Sequence, residues 1–163
     1  MRIDELDLSG ASMLIRVDDL SGEKIRALLA YHFEQMHENS PPGMAYVLDV
    51  DGLKAPGISF WSVWEGDELL GCGALKELEP HWGEIKSMRT APAHLGKGVG
   101  AAILDHIIAV ARRRGYRRLS LETGTTPSYA AAIALYTKRG FKNGDCFAGY
   151  AGSDFNQFFH LDL

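Results

Sequence analysis

The chain has 163 residues, 46% hydrophobic and 23% charged, with 17 Lys and Arg against 21 Asp and Glu, a formal net charge of −4. This suits one globular domain over residues 1–163 with a continuous core, free of repeats or low-complexity tracts. The charge argues against a general nucleic-acid binder, and the lack of an eighteen-residue apolar run or a basic-apolar leader points to a cytoplasmic protein with no membrane partner.

Met13-Leu14-Ile15-Arg16-Val17 reads as a first strand. Ser21 is the expected N-cap of a helix whose apolar face is Ile25, Leu28, Leu29 and Phe33, ended by Asn39-Ser40-Pro41-Pro42-Gly43. Residues 58–64 and 69–75 read as two strands joined across Glu65-Gly66-Asp67, a hairpin signal. Residues 83–90 form a further strand that alternates Ile85, Ser87 and Arg89 against Glu84, Lys86 and Met88, and Ala91-Pro92 ends it.

In Leu95-Gly96-Lys97-Gly98-Val99-Gly100 three glycines alternate directly before a long amphipathic pattern. Backbone N–H groups without side-chain bulk around them can turn toward one point, and the first turn of the following helix adds free N–H groups and the positive end of its dipole. Phosphate is the natural occupant. Lys97 is followed by Gly98, so the stretch is no Walker loop; a dinucleotide fingerprint fits only in part, with Ala101 at its third glycine and Arg117 or Arg118 where an acid is needed.

The helix that follows presents Ile103, Leu104, Ile107, Ile108, Val110 and Ala111 to a sheet, places His106 on its surface, and ends at Arg112-Arg113-Arg114 with Gly115 beyond. Residues 116–122 give a strand with Leu119 and Leu121 on one face, residues 130–141 a helix ending in Gly140-Phe141, and residues 155–161 a last strand. His32, His37, His81, His94, His106 and His160 show no metal-ligand spacing, so no metal is expected. Cys72 and Cys146 are expected as reduced thiols.

Three landmarks, taken together over residues 82–141, resemble the GCN5-related N-acetyltransferase (GNAT) family. Leu95 to Gly100 resembles its acyl-CoA loop, with Leu95 where the family usually carries Arg or Gln. The strand before it corresponds to the family's fourth strand. Ala130-Ala131-Ala132-Ile133-Ala134-Leu135-Tyr136 through Gly140-Phe141 resembles its Leu-Tyr and Gly-Phe ending, with Tyr129 where many members carry an Asn that touches the CoA arm. The resemblance implies an α/β fold of the α+β kind: a mixed, mostly antiparallel sheet of six to seven strands, splayed between the fourth and fifth and flanked by about four helices. It also implies acetyl-CoA as cosubstrate and a small-molecule amine as acceptor. A homodimer is compatible with it.

By the same resemblance the pantetheine arm lies along Met88, Arg89 and Thr90, and the pyrophosphate on Leu95, Gly96, Lys97, Gly98, Val99 and Gly100. Glu84 is then the catalytic base, six residues before Thr90, with a water relay or Glu122 in reserve. Partial burial would raise the pKa of such a base. Tyr136 is the acid that protonates the departing thiolate. His32 and His37, after the first helix, and Tyr150, in the aromatic and glycine-rich segment 146–159, are expected at the acceptor cavity. Arg89 could anchor a carboxylate there, which favours an amino acid or related small acid; a CoA phosphate or an internal acid are its other partners. A non-catalytic acyl-CoA sensor, acetylation of a protein amine, or binding of another phosphate ligand remain open at this point.

Overall fold

The computed structural model of the protein describes residues 6–7 and 13–163. Its strands are β1 (Leu6–Asp7), β2 (Leu14–Val17), β3 (Ile58–Glu65), β4 (Glu68–Glu79), β5 (Trp82–Thr90), β6 (Arg118–Gly124), β7 (Lys142–Gly144) and β8 (Asn156–Asp162); its helices are α1 (Glu23–Glu38), α2 (Val50–Leu53), α3 (Val99–Arg113) and α4 (Ala130–Lys138). The strands form one sheet in the order β1-β2-β3-β4-β5-β6-β8-β7. Every pairing is antiparallel except β5 with β6, which run parallel only through Trp82↔Arg118, Gly83↔Leu119 and Glu84↔Ser120. Beyond Glu84 the two strands part, which is the expected splay. The two-residue β1, the three-residue β7 and the single turn α2 carry too little pattern to be read from sequence.

One face of the sheet packs on α3, whose Ile103, Leu104, Ile107 and Val110 meet Ile15, Val63, Leu75, Ile85 and Leu119. The opposite face packs on α1 through Ile25, Leu28 and Leu29 against Phe60, Cys72 and Ala74. Three expectations change here. Ser21 does not cap α1: its hydroxyl bonds Asp19 Oδ1 at 2.6 Å, and Gly22 is the N-cap without a side-chain bond. His32, not Phe33, completes the buried face of α1 at the i+7 position from Ile25, while Phe33 stays 39% exposed. His106 is buried rather than on the surface of α3, its ring edge-on to Trp61 at 5.1 Å between centroids.

Simple alternation also fails within β5. Lys86 and Arg89 are three residues apart, yet their partners Ala74 and Cys72 are two apart, so β5 carries one extra residue. Ser87 takes it up with a φ of 55°, a β-bulge. The bulge reverses the facing of all that follows. Met88 joins Ile85 on the α3 side, and Arg89 joins Glu84 and Lys86 on the α1 side, where its Nε donates to His32 Nδ1 at 2.8 Å.

Candidate active site

Where β5 and β6 part, the residues between them line a cavity of about 170 Å³. Glu84, Lys86 and Arg89 come from β5, Glu122 and Thr123 from β6, His32 and Met36 from α1, Tyr136 from α4, and Tyr46 and Tyr150 from the loops that roof it. His37 is not there; it is exposed, with Nδ1 2.8 Å from the Phe33 carbonyl oxygen.

Glu84, the last β5 residue to pair with β6, is 2% exposed. Its Oε2 accepts from Lys86 Nζ at 3.1 Å and from the Tyr150 hydroxyl at 2.5 Å, and Lys86 Nζ also donates to the Tyr150 oxygen at 2.7 Å. The three groups close a triangle in which acid and cation neutralise each other. Tyr150 is held in place by ring contacts with Tyr46 at 5.2 Å and Phe147 at 5.3 Å. Burial, followed by the charge of Glu84, raises its pKa well above the phenol range, so it stays protonated as the donor. Among the described residues Glu122, across the gap, forms no salt bridge. Burial raises its carboxyl from 4.5 to about 7, against smaller opposing effects from Asn156 and Lys86.

Tyr136 sits in the last turn of α4. Gly140, at φ 93°, ends that helix, and the bonds Phe141 N–H to Tyr136 O (3.1 Å) and Gly140 N–H to Thr137 O (3.0 Å) make a Schellman closure. The Phe141 ring then packs on the Tyr136 ring at 5.8 Å. Among the described residues no group hydrogen-bonds the Tyr136 hydroxyl, and burial raises its pKa to about 12. A phenol so placed keeps its proton until a strong base is generated beside it.

Arg89 is half-buried, and its guanidinium lies 5.7 Å from the centre of the Tyr31 ring. Among the described residues no carboxylate pairs with it. His32, its hydrogen-bond acceptor, is driven down to about 3 by burial and by the Arg89 charge, so this imidazole is neutral. Burial lowers the pKa of Arg89 itself.

β5 leads from the cavity to the glycine loop. From Ile85 to Thr90 it pairs with β4 on one side only, so its other edge offers backbone donors and acceptors to an extended ligand. Gly98 is the N-cap of α3 at φ 81°, and Gly96 has φ 79°. A side chain at either would meet nothing within 4 Å, so glycine is there for the backbone turn. The first intrahelical bond is Ala102 N–H to Gly98 O at 3.0 Å, which leaves the N–H groups of Val99, Gly100 and Ala101 facing the loop. A built Cβ on Gly100 would lie 3.3 Å from Leu135 Cδ2 and 3.8 Å from Thr90 Oγ1, which joins strand end, cradle and α4. Val99 is buried beneath the loop, whereas Leu95 is 69% exposed. Lys97 Nζ lies 2.9 Å from His94 Nδ1, and His94 Nε2 lies 3.2 Å from Glu68.

Lys86 and Tyr46 are among the participants that were not singled out by sequence. Lys86 carries a signal in retrospect, since residues i and i+2 of a strand share a face and Glu84 and Lys86 are such a pair. Tyr46 carries none, because its place depends on a ring more than a hundred residues away.

Comparison with known proteins gives concordant results. A model described as the Acetyltransferase (GNAT) family matches residues 25–141. YsnE of Bacillus subtilis (strain 168), an N-acetyltransferase itself uncharacterized, is 50% identical over 147 residues, covering 90% of this chain and 97% of its own. A Klebsiella pneumoniae crystal structure, provisionally described as an acyl-CoA N-acyltransferase, superposes with a TM-score of 0.75 at 28% identity, covering 94% of this chain and 99% of its own. A GNAT acetyltransferase of Elizabethkingia anophelis, solved with acetyl-CoA bound, shares the fold at a TM-score of 0.66 and 16% identity, covering 93% and 99%.

Proposed function

Since this chain belongs to the GNAT acetyltransferase family, we propose that it transfers the acetyl group of acetyl-CoA to the primary amine of a small molecule, within one domain over residues 1–163. The observation that carries this reading is the open edge of β5 running from the cavity into the glycine cradle at the start of α3. Met88, Arg89 and Thr90 would offer their backbone groups to the pantetheine arm, and Gly96 to Gly100 their N–H groups to the pyrophosphate. When bound, acetyl-CoA supplies an activated carbonyl and a thiolate leaving group.

Glu122 takes a proton from the acceptor's ammonium group, which frees the nitrogen lone pair to form the C–N bond; the proton displaced when that bond forms, and the one on Glu122, leave to water. With no salt bridge among the described residues and a pKa that burial raises to about 7, Glu122 suits this role better than Glu84, whose carboxylate is already bonded to Lys86 and Tyr150. That order inverts the ranking drawn from sequence. Tyr136 gives its phenolic proton to the sulfur, which leaves with the electron pair of the broken C–S bond, and then recovers a proton from water.

Calorimetry tests the cosubstrate directly, with ATP and NAD as controls and Gly98→Glu as the variant that puts bulk and negative charge into the cradle. Selective acetyl-CoA binding, lost in the variant, is expected. Failure of the folded wild-type protein to bind acetyl-CoA ends the acetyltransferase reading.

A further inference from the structure

We infer that the acceptor is a small amine that also bears a carboxylate, an amino acid or a short zwitterion like one, and that Arg89 holds the carboxylate. This rests on the acetyltransferase reading and narrows its substrate class.

The argument begins with the charges around the cavity. Glu84 and Lys86 cancel within their own triangle. His32 accepts a hydrogen bond from Arg89 Nε–H and is neutral. Burial holds the phenols of Tyr136 and Tyr150 protonated, and Tyr31, Tyr46 and Tyr129 supply ring and hydroxyl surface. Two groups are left: the guanidinium of Arg89 on β5 and the carboxyl of Glu122 on β6, on opposite sides of the gap.

A half-buried guanidinium without an anion is costly, because it has lost part of its hydration and gained no opposite charge in exchange. The fold nonetheless builds this position deliberately. The bulge at Ser87 turns Arg89 away from the α3 core and into the cavity. His32 then fixes the guanidinium by its Nε, and the Tyr31 ring lies against it. With Nε committed to His32, the two terminal nitrogens carry no described hydrogen bond, and they match the two oxygens of a carboxylate. Arg89 and Glu122 thus present a positive and a negative end across one small space, the complement of a zwitterion.

The test compares acids with their uncharged analogues. Probes are the free L-amino acids, β-alanine and γ-aminobutyrate, each beside its carboxamide, with thiol release from acetyl-CoA as readout for the wild-type protein and for Arg89→Gln. The wild-type protein is expected to use at least one free acid about 100-fold better, by kcat/KM, than the matching amide. In Arg89→Gln that ratio is expected to collapse toward one. The wild-type comparison stands even if the variant does not fold. Equal use of acid and amide by the wild-type protein, a ratio unchanged in Arg89→Gln, or turnover of amides alone overturns the inference while leaving acetyl transfer intact. So does binding of acetyl-CoA with no acid in the panel acetylated. Absence of acetyl-CoA binding overturns this inference and the functional reading together.

Discussion

Replacing Glu122 by Gln removes a carboxyl that, between pH 4.5 and about 7, keeps its proton in the folded protein and loses it in the unfolded chain. Below pH 4.5 the group is protonated in both states and contributes nothing to the pH dependence of stability. Between 4.5 and about 7 the unfolded chain ionises first, so each rise in pH favours unfolding, and above that interval the penalty is complete. At ~1.4 kcal/mol per pH unit, the interval corresponds to at most ~3.5 kcal/mol; because the side chain keeps some contact with water, we discount this to ~1–2 kcal/mol. In a domain of 163 residues that is ~3–6 °C in Tm. Thermal melts of wild type and Glu122→Gln at pH 5 and pH 8 should therefore show the variant gaining ~3–6 °C on the wild type at the higher pH. A Tm difference that is the same at both pH values refutes the assignment of a burial-raised carboxyl at Glu122.

Two further substitutions probe the neighbouring groups. Tyr136→Phe keeps the ring against Phe141 and removes only the phenolic proton, so kcat should fall about 100-fold while calorimetric affinity for acetyl-CoA is retained; an unchanged kcat removes Tyr136 from the chemistry. Gly124→Ala would place a Cβ 2.3 Å from Cε2 of Tyr129, and the ring must move from the cavity wall. Urea unfolding should report a loss of ~1–3 kcal/mol, and a stability equal to wild type would mean that the ring finds another place at no cost.

What was legible in the sequence was what is local. The stripe from Ile103 to Ala111, the glycine loop ahead of it and the Gly140 stop are written in residues that interact within one or two turns, and they stand where expected. Facing was harder. At the end of α1 the choice between His32 and Phe33 hangs on one position of helical phase, and the neutral imidazole buried against Arg89 outweighs the greater hydrophobicity of phenylalanine. In β5 the alternating pattern runs unbroken through Ser87, because a bulge at a serine leaves no mark comparable to glycine or proline; its cause lies in pairing with β4. The Glu84–Tyr150 bond spans 66 residues, a distance over which residue spacing conveys nothing about contact. Glu84 and Glu122 were both singled out, yet which of the two is neutralised depends on that remote loop.

The position of β8 ties the protein's completion to the order in which it is made. β8, residues 156–162, lies between β6 and β7, and sets Phe158 opposite Glu122. A chain emerging from the ribosome can assemble β2 to β5 and seat α3 on them while β6 still lacks its antiparallel neighbour. Until residues 156–162 arrive, β6 exposes the backbone of one edge and Leu121 lacks Phe159 opposite it, which makes that half-built state the one most exposed to mispairing with another chain. Only when β8 slots in does the wall behind Glu122 close, so the cavity is complete only with the last strand.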